Sequence, residues 1–221
     1  MIVGHKGKMG SVVFELAKNK GFDVFGVDKG DDLIDKVDLV VDFSIPENTL
    51  KVAKWCVENK IPLVVGTTGH DEKQQKMLQE FSKEIPILKA GNFSIGMALL
   101  RKILRGDISK HFKEVVIYEK HHRNKKDSPS GTAVELKILI ENNWNGRVEV
   151  LAERGGKEVG EHVINCYLEN EVLSFSHKAF SRECFADGVL VAIDFMLKNT
   201  KRKMFSFDDI FWKVFSRFDI K

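Results

Sequence analysis

The sequence predicts an α/β protein of two domains, one with a parallel sheet covered by helices and one of α+β type with a mostly antiparallel sheet. In the first half of the 221 residues, short apolar runs alternate with amphipathic stretches of helical spacing. That alternation is typical of a parallel sheet with helices on both faces. In the second half, strand-like runs follow one another across short turns, which favours antiparallel pairing.

The elements of the first half follow from these patterns. The run DLVVDF is apolar almost throughout, as a strand buried on both faces of a sheet should be. The stretches between the strands have apolar residues at helical spacing. The predicted strands are Met1–Gly4, Phe22–Asp28, Asp38–Phe43, Pro62–Gly66 and Pro86–Lys89, and the helices are Met9–Lys20, Glu47–Asn59 and Asp71–Lys83.

In the second half, turns rich in Gly or Glu-Asn (GGKEVG and ENE) separate closely spaced strands. The predicted strands are Glu114–Glu119, Val148–Glu153, His162–Leu168 and Val172–His177. Helices are predicted at Ser94–Leu104, from about Thr132, at Ala186–Leu197 and around Asp208–Phe215.

Composition excludes several classes of protein. With 43% hydrophobic and 30% charged residues and a net charge of +3 spread along the chain, neither a nucleic-acid partner nor a membrane is expected. No apolar run approaches ~18 residues, and the first residues, MIVGHKGKMG, have no signal-peptide core. The three cysteines have no metal-ligand spacing, which indicates reduced thiols, a cytoplasmic protein and no bound metal.

The motif GHKGKMG lies between the first strand and the first helix. Glycines there permit a tight turn, backbone contact with phosphates and close packing of the helix on the sheet. Asp28 ends the second strand, where a carboxylate can bind the ribose hydroxyls of a dinucleotide. The motif favours a Rossmann-like nucleotide-binding domain. The alternative is an ordinary strand–helix turn, because the spacing G-x-x-G-x-x-G is weak by itself.

Small and hydroxyl residues also follow three later strands: Ser44 after VVDF, Gly66–Gly69 (GTTG) after PLVV, and Gly91–Ser94 (GNFS) after PILKA. Ligands of open parallel sheets bind beyond the carboxyl ends of the strands, so a cofactor could lie across these three turns. Each turn taken singly is equally consistent with a helix cap or a loop.

The stretch EKHHRNKKDSPSGTA has the most unusual composition in the chain. His121, His122 and Lys125 follow a predicted strand, and Ser130-Gly131-Thr132 opens a helix whose N-terminal N–H groups can bind an anion. Together they suit a small polycarboxylate, and neighbouring cations are expected to lower the pKa of a histidine there. A solvated basic loop is one alternative. Contact with nucleic-acid phosphates is another, although no aromatic platform accompanies the basic residues.

Glu119–Ala133 resembles the signature of the dihydrodipicolinate reductase family, E-x-H-H-x-x-K-x-D-x-P-S-G-T-A. The motifs GHKGKMG, VDFSIPENT, VVGTTG, GNFSIG and SHKAFSRECFADG occur in the family's order, so the resemblance covers nearly the whole chain. It implies NADH- or NADPH-dependent reduction of a ring with two carboxylates in lysine biosynthesis. Other hypotheses are a different two-domain nicotinamide oxidoreductase of an amino or keto acid, and a dinucleotide-sensing or nucleic-acid-binding module.

The resemblance also implies roles for individual residues. His121 is expected to be the catalytic acid/base, with Lys125 as its partner and proton donor. His122 is expected to bind substrate, and Gly131 and Thr132 to hold a carboxylate. The implied cofactor-binding residues are Gly4, His5, Lys6, Gly7, Lys8, Met9, Asp28, Lys29, Gly66, Thr67, Thr68, Ala90, Gly91, Asn92 and Phe93.

The family's organisation implies a dinucleotide-binding domain of residues 1–93 and 182–221, to which the last helices return. Residues 94–181 would bind substrate and form a homotetramer through their sheet. Three features depart from or refine the family pattern. His5 stands where a small residue is usual, the segment between Asp28 and Asp38 is short, and Lys29 follows Asp28, an acidic-then-basic pair that resembles pairs accepting both NADH and NADPH.

Overall fold

The structure is a computed structural model that describes residues 1–105 and 111–215. The chain forms two compact units, Met1–Ser94 with the described residues from Phe185 onward, and Ile95–Cys184. The elements, in chain order, are β1 (Ile2–Val3), α1 (Gly10–Asn19), β2 (Gly26–Val27), β3 (Val40–Asp42), α2 (Pro46–Asn59), β4 (Leu63–Val65), α3 (Glu72–Phe81), β5 (Ile87–Lys89), α4 (Ile95–Leu104), β6 (Glu114–His121), α5 (Gly131–Glu141), β7 (Arg147–Arg154), β8 (Gly160–Tyr167), β9 (Val172–Ala179), α6 (Glu183–Leu197), β10 (Met204–Ser206) and α7 (Phe207–Phe215).

The first unit contains a six-stranded parallel sheet of order β10-β5-β4-β3-β1-β2. The predicted strands β1 to β5 and the helices between them are confirmed. Strands β3 and β4 are buried along their whole length, which explains why they are almost uniformly apolar. Because all strands run the same way, their carboxyl ends meet at one edge of the sheet, where the predicted cofactor residues lie.

Local sequence signals fix the helices of this unit. α2 begins with Pro46 at its first position and is capped after Asn59 by Lys60, which has a left-handed conformation (φ +57°). α3 begins with a capping box, in which Asp71 and Gln74 each bind the other's backbone N–H. The buried faces of these helices pack on the sheet in one core that includes Val52, Cys56 and Leu78.

One strand of this sheet was not predicted. β10 pairs in parallel with β5 at the sheet edge, with Met204 opposite Ile87. It is three residues long and separated from α6 by a polar stretch, so it has too few residues to show a period of two. Phe205 at its centre is buried and therefore anchors this edge.

The second unit contains a four-stranded sheet of order β7-β6-β8-β9. The pairs β6–β8 and β8–β9 are antiparallel, which confirms the mostly antiparallel sheet, but β6 and β7 are parallel. A parallel pair needs a long crossover connection, and here α5 provides it. One face of the sheet packs in a core with α4 and α5 that includes Ile117, Leu136 and Ile164.

Among the helices of the described residues, none combines the length and the apolar character needed to cross a membrane.

Candidate functional site

The loop between β1 and α1 contains the glycines of GHKGKMG. Gly4 has a φ of +79°, a left-handed conformation that favours glycine. At Gly10, the first residue of α1, a Cβ would lie 2.1 Å from the carbonyl oxygen of Gly4, so only glycine lets the helix approach the loop this closely. Such packing is what a loop around a pyrophosphate requires, and Lys6 to Met9 form the turn between the two glycines. The loop therefore fits a dinucleotide.

Asp28 directly follows β2, at the position predicted to bind ribose. Its Oδ2 accepts a hydrogen bond from the backbone N–H of Lys6 at 3.1 Å. The Nδ1 of His5 lies 2.8 Å from the same oxygen, although the two groups are not aligned for a hydrogen bond. The His5 ring packs over Gly26, where a Cβ would lie 2.5 Å from it. The unusual histidine thus fills space beside Asp28, next to β2.

Asp42, the last residue of β3, is a buried carboxylate for which the sequence pattern indicated no role. It accepts hydrogen bonds from the hydroxyls of Ser44 and Thr49, both at 2.5 Å, and of Thr67 at 2.9 Å. These three residues belong to the turn after β3, to α2 and to the turn after β4. Asp42 therefore ties together two of the turns that are predicted to face the cofactor.

The remaining predicted cofactor residues follow β4 and β5. A Cβ at Gly66 would lie 2.1 Å from the ring of Phe43, so this turn too packs closely. Phe93 is buried, and its ring centre lies 6.2 Å from that of Phe43 and 5.3 Å from that of Phe207. The others in this group are Thr68, Ala90, Gly91 and Asn92, of which Thr68 and Gly91 are exposed.

In the second unit, β6 carries a buried carboxylate two residues before its end. Oε2 of Glu119 lies 2.5 Å from Nδ1 of His121, the last residue of β6. Arg154, at the end of the parallel strand β7, binds both oxygens of Glu119 at 2.7 and 2.9 Å. The backbone N–H of Ser130 donates to Oε1 at 2.9 Å. The predicted catalytic histidine is thus held by a carboxylate that three neighbouring segments share.

Electrostatics follow from this arrangement. Burial alone would raise the pKa of Glu119, but hydrogen bonds from Arg154, His121 and Ser130 outweigh burial and hold the pKa below its ordinary value. Burial lowers the pKa of His121, the charges of Lys125 and Arg154 add to this, and together they outweigh the opposite effect of Glu119. The predicted direction is confirmed, although burial rather than like charge is its largest cause.

The helix N-terminus predicted to bind an anion is well formed. Ser130 is the N-cap of α5, and its Oγ accepts a hydrogen bond from the backbone N–H of Ala133 at 3.3 Å. Gly131 and Thr132 follow as the first residues of the helix, and a Cβ at Gly131 would meet no atom within 4 Å. Space is therefore open beside the Cα of Gly131, whose backbone N–H interacts with the carboxylate of Asp127.

A second buried histidine lies beside this cap. The Nε2 of His162 is 3.3 Å from the hydroxyl of Ser130, and its ring meets that of His121 edge to face at 5.3 Å between centres. Burial, together with the neighbouring His121 and His177, lowers the pKa of His162 to about 4. This ring is therefore uncharged near neutral pH and leaves the cationic character of the site to other groups.

Lys125 and His122 lie in the loop after β6. The Nζ of Lys125 is 2.8 Å from Oδ1 of Asp127, and its charge lowers the pKa of His121. His122 is half-buried, and its backbone N–H donates to the carbonyl of Glu158 at 2.9 Å. The structure thus brings His121, Lys125 and the first turn of α5 to one end of β6.

The sequence pattern indicated neither Arg154 nor His162, and it indicated no role for Glu119. Glu119 had a local signal, since residues i and i+2 of a strand share a face and it therefore lies beside His121. Arg154 and His162 lie on β7 and β8, opposite His121 and Glu119 respectively. Their positions follow from strand register, for which the sequence has no local signal.

Within residues 1–105 and 111–215, no group of three or more His, Cys, Asp or Glu side chains is arranged to hold a metal ion.

The chain is similar to known proteins along nearly its whole length. A family model described as the N-terminus of dihydrodipicolinate reductase matches residues 1–93, and one described as its C-terminus matches residues 96–211. The 4-hydroxy-tetrahydrodipicolinate reductase of Thermosipho africanus is 37% identical, over 97% of this chain and 98% of that protein. The protein of the same name from Clostridium tetani is 34% identical over 94% of each chain.

Among solved structures, the dipicolinate-bound dihydrodipicolinate reductase of Paenisporosarcina sp. TG-14 superposes with a TM-score of 0.77 over 95% of this chain and 97% of that chain, at 21% identity. This likeness shows the shared fold. Family membership is shown by the two family models, which match in the expected order, and by relatives above 30% identity over almost the full length. The chain belongs to the dihydrodipicolinate reductase family.

Proposed function

We propose that this chain catalyses the NAD(P)H-dependent reduction of 4-hydroxy-tetrahydrodipicolinate to tetrahydrodipicolinate, a step of diaminopimelate and lysine biosynthesis. One observation carries the proposal: in a member of this family, His121 is held by a buried carboxylate, beside Lys125 and the capped N-terminus of α5. The relatives named above bear the name of this reductase. The fold neighbour bound to dipicolinate supports a ring with two carboxylates as ligand.

The residues of the second unit have complementary tasks in this reaction. Lys125 and the first N–H groups of α5, at Gly131 and Thr132, neutralise the carboxylates of the substrate. His121 exchanges a proton at Nε2, because Nδ1 is bound to Glu119. Lys125 is a second proton donor beside it, and His122 contacts the substrate from the same loop. The nicotinamide, when bound, supplies the hydride.

The proposal is tested by following NAD(P)H absorbance in the presence of the synthase that condenses pyruvate with aspartate semialdehyde. Oxidation should require both the synthase and this chain, and a chelator should leave the rate unchanged. A dinucleotide sensor would bind NAD(P)H without consuming it. Equal oxidation when the synthase is omitted would show that the chain acts on something else.

We further propose that residues 1–93 and 182–221 form the dinucleotide-binding domain, that residues 94–181 bind substrate, and that the chain accepts both NADH and NADPH. The carboxylate of Asp28 favours the two ribose hydroxyls of NADH and repels a 2′-phosphate. Lys29 is exposed and has no ion pair or hydrogen bond with another described residue, so its ammonium is available to a 2′-phosphate. Since an exposed charge pair contributes only ~1 kcal/mol, the two affinities should lie within about tenfold of each other.

Replacing Lys29 by alanine is expected to weaken NADPH binding about fivefold, which corresponds to the ~1 kcal/mol of an exposed pair, and to leave NADH binding nearly unchanged. The dissociation constants are measured by nicotinamide fluorescence. Lys51→Ala, which removes an exposed lysine from α2, is the matched control. An equal loss for both cofactors would mean that Lys29 does not face the 2′ position.

The outer face of the second sheet supports the proposal that the chain forms a homotetramer. Tyr118 of β6 lies between Leu151 of β7 and Val163 of β8, and both Tyr118 and Leu151 are 42% exposed. On the same face, Val172 of β9 pairs with Tyr167 of β8 and is 50% exposed. Large apolar side chains exposed on one face of a sheet favour a protein interface there. The mass in solution, measured by sedimentation equilibrium, decides between monomer and tetramer.

A cytoplasmic location is also proposed. All three cysteines are free thiols, as is usual in a reducing compartment such as the cytoplasm. Fractionation of cells that express the tagged chain tests this location. Recovery with the membrane or with an extracytoplasmic fraction would contradict it.

A further inference from the structure

The carboxylate of Glu119 has hydrogen-bond partners on both of its oxygens. It is fully buried, and each oxygen has two polar partners. Oε1 accepts from the backbone of Ser130 and from Nη2 of Arg154, while Oε2 contacts Nδ1 of His121 and accepts from Nη1 of Arg154. These donors come from the end of β6, the end of β7 and the cap of α5, so one side chain joins three segments.

The charge of Glu119 determines which nitrogen of His121 carries a hydrogen. The hydrogen bonds hold the pKa of Glu119 below its ordinary value despite burial, so the group is ionised and can only accept. Nδ1 of His121 must therefore donate, which leaves Nε2 as the nitrogen that gains and loses a proton. No described residue hydrogen-bonds Nε2, which lies over Gly160, where a Cβ would be 2.9 Å away.

The same carboxylate fixes the N-terminus of α5. Oε1 holds the backbone N–H of Ser130, whose hydroxyl caps the helix at Ala133. The next residues, Gly131 and Thr132, are those that the proposed function assigns to a substrate carboxylate. Glu119 therefore sets the position of the anion-binding turn relative to the His121 ring, a distance that proton transfer to a bound ring depends on.

We propose that Glu119 is a positioning residue that fixes the Nδ1–H tautomer of His121 and holds the N-terminus of α5 in register with it, with Arg154 as its counter-charge. The inference rests on the proposed function for its catalytic consequence, but its tautomer claim concerns the protein alone. The competing interpretation is an ion pair that only joins β6 to β7, as buried pairs between strands commonly do.

Glu119→Gln distinguishes the two interpretations. With its amide oxygen toward Ser130, the glutamine satisfies that N–H and presents its NH₂ group to His121. Nδ1 must then become an acceptor, so the neutral ring carries its hydrogen on Nε2. The opposite amide orientation leaves the buried N–H of Ser130 facing another donor, which costs more than a change of tautomer. The variant should therefore switch the tautomer and keep the cap.

Imidazole nitrogen NMR of the protein without ligands reads the tautomer directly, with the His121 signal assigned from its loss in His121→Gln. The wild type should show neutral His121 protonated on Nδ1, and Glu119→Gln should show it protonated on Nε2. Because Glu119 raises the pKa of His121, its loss should also move the titration of the ring to lower pH. Neutral His121 protonated on Nε2 in the wild type would overturn the proposal.

Turnover gives the second readout. Glu119→Gln should lower kcat by about 10²-fold or more, as expected when an acid/base histidine is held in the wrong tautomer, with NADH affinity unchanged. Glu153→Gln is the matched control, because it removes an exposed carboxylate that pairs with Lys120 between the same two strands, at 2.8 Å, without contacting His121. It should retain the tautomer and most of kcat. An unchanged tautomer in Glu119→Gln, or a loss of activity that only follows the unfolded fraction, would support the ion-pair interpretation.

Glu119→Gln leaves the buried guanidinium of Arg154 without its counter-charge, which is destabilising. If that variant does not fold, the double variant Glu119→Gln/Arg154→Met removes both charges, and the same tautomer and kcat are expected of it. A wild type with the Nδ1–H tautomer but no reductase activity would contradict the proposed function and leave the tautomer result standing.

Discussion

Replacing His121 by glutamine is expected to lower kcat by roughly 10²–10⁴-fold, the loss typical of removing a positioned acid/base group. Glutamine is close in length and can still donate a hydrogen bond to Glu119, so the buried carboxylate keeps a partner. His121 belongs to the unit Ile95–Cys184, whereas the predicted cofactor residues belong to Met1–Ser94. The affinity for NADH, measured by fluorescence, should therefore not change.

His111→Gln is the matched control, because it removes an exposed histidine of the same unit and should leave kcat at the wild-type value. The pH dependence of kcat also has an expected direction. The pKa of His121 is below its ordinary value, so a step that needs the protonated ring should slow as pH rises through this lowered pKa. A His121→Gln enzyme with near wild-type kcat, or with the same pH profile, would show that another group exchanges the proton.

The parallel sheet could be predicted because its strands are buried on both faces. Val40–Asp42 and Leu63–Val65 are buried throughout, so burial is visible in sequence as an apolar run. Strand β10 could not be predicted in this way. Its three residues, Met204–Ser206, are placed by pairing with β5, and pairing between segments far apart in the chain leaves no periodic trace.

In the candidate site, too, residues close together in sequence could be predicted, and residues brought together by strand pairing could not. His121, Lys125 and Gly131 stand close together in sequence, so a local motif was enough to predict them. Arg154 comes to Glu119 only because β6 and β7 run parallel in the observed register. The sequence predicted no parallel pair here, since the strands of this region are closely spaced and α5 was not recognised as a crossover.

The role of the buried carboxylate Asp42 could not be predicted either, because its partners come from distant segments. Asp42 was visible within VVDFS, but a carboxylate at a strand end can equally face solvent. Its role appears only when the hydroxyls of Thr49 and Thr67, from two other segments, converge on it. A buried charge is tolerated only when such partners satisfy it, and those partners are set by tertiary structure rather than by local pattern.

Replacing Gly10 by alanine is the second change with a large expected effect. The new Cβ would lie 2.1 Å from the carbonyl oxygen of Gly4 and 2.7 Å from its carbonyl carbon, far inside the ~3.5 Å of an ordinary contact. Both atoms belong to the backbone and cannot rotate away. The other side of the loop is closed as well, because a Cβ at Gly4 would lie 2.6 Å from the carbonyl oxygen of Phe43. Either α1 or the loop must move.

Alanine is favoured over glycine in a helix by up to about 1 kcal/mol, whereas overpacking of this kind typically costs about 1–3 kcal/mol, so the steric effect should prevail. We expect Gly10→Ala to lower the free energy of unfolding by the cost of overpacking less the helix preference of alanine. It should also weaken NADH binding more than about tenfold, since a displaced loop loses more than 1.4 kcal/mol of phosphate contacts.

Gly7→Ala, whose Cβ would lie 3.1 Å from the oxygen of Gly4, is the matched control. It should lose less stability and less NADH affinity than Gly10→Ala. Denaturant unfolding and nicotinamide fluorescence measure the two effects. Wild-type NADH affinity in a folded Gly10→Ala protein would mean that the close packing of α1 on this loop does not serve dinucleotide binding.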